Sequence, residues 1–271
     1  MKRLTALVCA GWIVGAFGCP AEKLRRKSPG LSECSEIVLC GAYTNHLQDV
    51  WLDRMNELIY WAHTDVLLMT DLNGKILRQT TVGEHHAGLG LKDGRLYIAV
   101  CTTASLYGGQ AERDSYVTVG EFDAKTLGLI AYHKTRLNDR AGSLAIRDDG
   151  TFLVGCLRPL DVSATQVKLH HLDTDFKLIK TYVIDNVPVQ LGIETIKIWE
   201  GYAYLHFFPI DSSGKVLDFD TIKLDADYKE VWRGKMKGDR GIFFDGTDRW
   251  SGYSAVAPGS GQWTSKLVKN L

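Results

Sequence analysis

The stretch Lys92-Asp93-Gly94-Arg95-Leu96-Tyr97-Ile98-Ala99-Val100 decides the fold. An Asp-Gly turn leads straight into a run of alternating bulky residues, which is how a tight hairpin enters a strand. The same punctuation recurs down the chain. Asp149-Gly150 stands before a strand over 151–156, and Glu200-Gly201 before one over 202–208. Each time, a strand precedes the turn, a loop follows the second strand, and a third strand ends on an aspartate. Those endings read Thr70-Asp71-Leu72-Asn73, Phe122-Asp123-Ala124-Lys125, Leu172-Asp173-Thr174-Asp175 and Leu224-Asp225-Ala226-Asp227. Asp71, Asp123, Asp173 and Asp225 fall in register and read as residues of tight hairpin turns rather than as a calcium ring, since such outer hairpins lie far apart in a radial arrangement.

Repeat starts at His46, His86, Ala141 and Gln190 have the spacing of four-stranded antiparallel blades, about 40–50 residues each. A fifth copy begins near Asp239, with strands over 241–244, 250–256 and 264–268, and lacks its fourth strand. The unmatched apolar segment 36–43 lies just ahead of the first copy and is expected to supply it. Such closure removes two open sheet edges. The fold expected is all-β, a five-bladed β-propeller over residues 35–271 closed by an N-terminal strand.

Residues 1–18 read as a signal peptide: Lys2 and Arg3 precede an apolar run over 4–17 that is too short to span a bilayer. Ala16-Phe17-Gly18 places small residues for cleavage before Cys19, the candidate lipidation site, and residues 19–34 read as a tether. Lipidation and plain secretion are both open, so the expected localisation is exported: a membrane-anchored lipoprotein, or periplasmic or extracellular. Outside the cytoplasm Cys34 and Cys40 are candidates for a disulfide, whereas Cys101 and Cys156 end matching strands and read as buried hydrophobes. No Cys/His spacing suits zinc, and neither a metal nor a cofactor is expected. With 32 basic and 32 acidic residues the chain lacks the positive surface that nucleic-acid backbones require.

The chain resembles bacterial extracytoplasmic five-bladed propellers of a poorly characterised subgroup. The likeness rests on the Asp93–Val100 signature and on His85-His86-Ala87-Gly88-Leu89 and Asp114-Ser115-Tyr116-Val117. It implies a scaffold rather than an activity.

Chemistry is expected at one face. Extra length falls in 102–115, 157–165 and 209–216, all second-to-third strand loops that open where the inner strands begin. His46, His86, Arg140, Gln190 and Arg240 lie at or next to the starts of those strands. They form the candidate ring for an anionic small molecule or acidic glycan. Asp49 and Glu194 either neutralise that ring or form a carboxylate pair of the kind glycoside hydrolases need. Trp61 and Tyr107 are candidates for a sugar platform, and His63 and His206 read as structural. Three readings remain: a non-enzymatic binding propeller, a glycan-active enzyme (hydrolase or lyase), and a structural lipoprotein contacting an envelope protein.

Overall fold

The computed structural model describes residues 34–101, 116–157, 165–236, 238, 240–245 and 248–270, and these form five four-stranded antiparallel sheets without a helix. The signal segment, Cys19, most of the tether, the loop 102–115 with Tyr107, residues 158–164 and Asp239 lie outside the described residues. The first strand, β1 (Glu36–Val38), precedes the blades. Blade 1 is β2 (Leu47–Asp53), β3 (Leu58–His63), β4 (Val66–Asp71) and β5 (Ile76–Thr81). Blade 2 is β6 (His86–Lys92), β7 (Arg95–Val100), β8 (Thr118–Asp123) and β9 (Leu129–Lys134). Blade 3 is β10 (Ala141–Ile146), β11 (Phe152–Cys156), β12 (Val167–Leu172) and β13 (Leu178–Ile184). Blade 4 is β14 (Ile193–Trp199), β15 (Tyr202–Phe207), β16 (Thr221–Leu224) and β17 (Glu230–Gly234); its inner strand starts three residues later than the repeat suggests. Blade 5 is β18 (Ile242–Asp245), β19 (Asp248–Val256) and β20 (Trp263–Asn270).

β1 completes blade 5, in the order β18-β19-β20-β1, with Ile37 opposite Leu267. Leu39 N also donates to Ser265 O at 3.0 Å. The N-terminal segment thus closes the ring, and Ile37 and Leu39 are each only 2% exposed. β1 also passes over the first blade's outer turn. A Cβ on Gly74 would sit 1.8 Å from Val38 O, so only glycine fits there. In the corresponding turns of blades 2, 3 and 4 the residues at positive φ are Leu127, Phe176 and Tyr228.

The Asp-marked turns form as expected. Asp71 Oδ1 accepts from Asn73 N and Lys75 N, and Asp173 Oδ1 accepts from Asp175 N and Lys177 N, at 2.8–3.0 Å. Apolar cores lie between neighbouring blades: Leu89, Leu96 and Ile98 against Tyr60 and Leu67, and Ile193 and Ile196 against Leu153 and Leu169. Trp61 is wholly buried with Nε1 donating to Thr70 Oγ1, so it is no sugar platform. No disulfide joins Cys34 and Cys40, and Cys101 and Cys156 are buried thiols.

Candidate functional site

Four inner strands carry a β-bulge one step below their start. The register slips between Leu47 and Asp49, Ala87 and Leu89, Ala141 and Ser143, and Ile193 and Thr195. The extra residues are Gln48, Gly88, Gly142 and Glu194. Gly241, with φ +97°, holds the corresponding place in blade 5, between the Arg240–Gly252 hydrogen bond and the Ile242–Ser251 pair. Bulges re-aim side chains. Here glycine is forced in three blades by close approach: a Cβ on Gly88 would meet Leu144 N at 2.3 Å. Only Gln48 and Glu194 bring functional groups to this level.

The Gln48 amide nitrogen lies 2.9 Å from His46 Nε2, 2.9 Å from His85 Nε2 and 3.0 Å from Thr64 Oγ1. The amide has two hydrogens for these three neighbours, and an imidazole that accepts one of them through Nε2 is neutral and carries its own proton on Nδ1. Electrostatics agree. Burial, then Arg240, His85 and His63, hold the His46 imidazole down to about 4, and burial followed by Arg140 lowers His85. Glu194 feels Arg240 of blade 5, and its charge reaches Cys101 of blade 2, which brings its carboxylate close to the axis. Burial pushes that carboxyl up to about 7 against the pull of Arg240.

Below this level the channel is plugged. Asp49 is fully buried, and its Oδ2 accepts from Lys197 Nζ of blade 4 and Leu89 N of blade 2, both at 2.8 Å. Its Oδ1 accepts from Val50 N at 2.8 Å, and Lys197 Nζ also reaches Val50 O at 3.3 Å. Burial raises the Asp49 carboxyl above its ordinary value, while Lys197 and the two amides oppose that shift. The mouth is therefore a cup with an ion-paired floor.

Of the seven residues singled out from the sequence, four come within electrostatic reach of this level: Arg240 acts on His46 and Glu194, and Arg140 on His85. Asp49 belongs to the floor of the cup. His86 does not face it: Nδ1 hydrogen-bonds with Glu84 O at 2.6 Å, and the ring packs 5.9 Å from both Phe122 and Tyr132 inside its own blade. Its neighbour His85 occupies the mouth instead. Gln190 is exposed on the rim beside the 209–216 turn, where its N donates to Ile210 O. Residues overlooked in the sequence are His85, Gln48 and Lys197. Repeat register equates His86 with His46, but the contacts with Glu84 O, Phe122 and Tyr132 that turn His86 into its blade come from tertiary packing that register does not carry. His63 and His206 are buried within their blades, in keeping with a structural role.

Two grooves lie elsewhere, between blades. One of about 280 Å³ runs along the Arg147, Asp149 and Tyr228 turns, and one of about 760 Å³ is bounded by Tyr202, Lys223, Trp232 and Arg249. The cup differs from both in drawing titratable groups from all five blades around one axis.

No known family model matches the chain, and no curated protein matches its sequence. Among solved structures it is similar to a protein of unknown function from Bacteroides caccae, with TM-score 0.43 and 17% identity over 65% of this chain; it spans 61% of that chain. It is also similar to hydrazine synthase of Kuenenia stuttgartiensis, with TM-score 0.47 and 13% identity over 96% of this chain and 66% of that one. A third is the WD40 domain of Neurospora crassa Pan2, with TM-score 0.45 and 8% identity over 69% of this chain and 51% of that one.

Proposed function

We propose that the chain is an exported, non-catalytic binding propeller whose mouth takes a small anion or an acidic sugar, held at the envelope through a lipid on Cys19. The observation that carries the reading is the convergence of Arg140 and Arg240 on two neutral imidazoles and one carboxyl of raised pKa. With Glu194 protonated the cup carries two positive charges, and with it ionised, one. Guanidinium groups in a half-buried cup favour carboxylate or sulfate through charge-assisted hydrogen bonds. Hydrolysis by two carboxylates is disfavoured, because Asp49 lies under the floor with three donors engaged, leaving Glu194 without that partner.

A thermal-shift panel on the mature chain tests the proposal, using uronates, sulfated sugars and dicarboxylates beside their neutral counterparts. Acidic members should raise Tm, and Arg140→Gln or Arg240→Gln should abolish the rise. Equal shifts from neutral sugars would refute anion binding, and release of reducing ends from glycans would favour the hydrolase.

A further inference from the structure

A second cluster stands at the junction of blades 2 and 3. Asp139 comes from the β9–β10 connection, Cys156 is the last residue of β11, and His170 lies in β12. One ligand atom from each lies within 4.8 Å of the others. Cys156 and His170 are only 3% and 2% exposed, and Asp139 is half-buried. Register explains the meeting. Val154 faces His170 and Gly155 faces Leu169, so Cys156 comes opposite Lys168 and diagonal to His170, on one face of the sheet. Asp139 then reaches over the strand ends to cap that face.

The histidine is held for ligation. Its Nδ1 meets Thr181 Oγ1 at 2.8 Å, which turns Nε2 toward Asp139 Oδ2 at 3.0 Å. Metal-binding imidazoles are oriented by such a contact on the far nitrogen. Lys168 Nζ lies 3.1 Å from each Asp139 oxygen, at the solvent side, with its side chain 44% exposed.

We propose that Asp139, Cys156 and His170 form a site for a zinc-type divalent cation, with water as fourth ligand. One thiolate, one imidazole and one carboxylate are ligands that zinc accepts in tetrahedral sites. The two negative ligands match the cation's double charge, so the buried site is neutral when loaded. On binding, the cation lies between His170 Nε2 and Asp139 and takes the place of the thiol proton of Cys156. That proton leaves to solvent, the neutral imidazole carries its one proton on Nδ1 and donates it to Thr181 Oγ1, and Lys168 swings outward. The cation is the only co-reactant, and no redox change occurs. The spacing of these residues hides the site in the sequence, since three separate segments supply one ligand each.

The test is a cobalt titration of the reduced, chelator-treated mature chain. Binding of one Co²⁺ per chain should produce a near-ultraviolet thiolate-to-cobalt charge-transfer band, which Zn²⁺ then bleaches. Cys156→Ser should abolish the band, while Cys34→Ser, Cys40→Ser and Cys101→Ser retain it. Thr181→Val should weaken affinity about 10–100-fold. Lys168→Met should tighten it, because the ammonium no longer competes for Asp139. Circular dichroism checks folding; if Cys156→Ser does not fold, loss of the band in His170→Gln takes its place. A wild-type chain without the band, or a band that survives these ligand substitutions, would overturn the proposal.

Discussion

Replacing Lys197 with methionine tests the floor of the cup. The ammonium lies 2.8 Å from an Asp49 carboxylate with no exposed surface, and Lys197 itself is 4% exposed. The substitution keeps the chain length and removes the charge. Asp49 then retains only the amides of Val50 and Leu89. Breaking a buried pair in this way costs about 3–5 kcal/mol. Protonation sets a ceiling on the loss. Neutralising a carboxyl with an ordinary value of 3.8 at pH 7 costs about 4.4 kcal/mol, at about 1.36 kcal/mol per unit. The two figures agree, so Lys197→Met should lose about 3–4.5 kcal/mol at neutral pH. For a domain of this size that lowers Tm by roughly 6–18 °C.

The sign of the pH dependence follows. In the variant, burial without Lys197 holds the folded Asp49 value above the unfolded one, so the unfolded state releases its proton first. Burial already holds the parent's folded value above the unfolded one and losing Lys197 raises it further, so the variant's deficit opens above the parent's folded value and grows with pH from there, by up to about 1.36 kcal/mol per unit. Urea denaturation of both proteins between about pH 4 and 8 reads this directly. Asp49→Leu combined with Lys197→Met should recover most of the loss, since no charge remains buried. A single variant within about 1 kcal/mol of the parent at pH 7, or a deficit independent of pH, would refute the ion-paired floor.

Other expectations concern the cup, the closure and the anchor. Because the Glu194 carboxyl sits at about 7, anion affinity should fall as pH rises through that value, and Glu194→Gln should hold it at the low-pH level, as titration calorimetry will show. Deleting residues 35–43 removes Ile37 and Leu39, each worth about 1.5–3 kcal/mol of burial, and opens the ring. The truncated chain should lose at least about 3–6 kcal/mol by chemical denaturation, and an unchanged midpoint contradicts the closure. Cys19→Ala should abolish fatty-acid labelling and move the protein from the membrane to the soluble envelope fraction; persistent labelling refutes lipidation at that cysteine.

The scaffold was legible because blade geometry is local. Asp-Gly hairpins, Asp-capped turns and the missing fourth strand all follow from neighbours in sequence, and the closing strand within 36–43 followed from that missing strand. The cup was half legible. Repeat register brought His46, Arg140, Glu194 and Arg240 to one end, but packing inside each blade decides which of two neighbouring side chains faces the axis. His86 and His46 both stand two residues before their blade's bulge, and what separates them is the hold of Glu84 O and the packing of Phe122 and Tyr132 on His86, which leaves His85 at the mouth. Asp49 is recognisable from the repeat as an acid near the channel. Its partner Lys197 lies on another blade, and no short-range pattern announces a pairing made across the ring. The Asp139–Cys156–His170 cluster was hidden for the same reason.

Calorimetric titration of the strongest acidic ligand from the panel, into the mature chain and into Arg140→Gln/Arg240→Gln, tests the central claim most directly. Removing one charge-assisted hydrogen bond costs about 1.5–3 kcal/mol, so the double variant should bind roughly 10²–10⁴-fold more weakly. Its circular dichroism and melting should match the parent. A double variant that keeps the parent's affinity for the acid would contradict anion binding at the mouth.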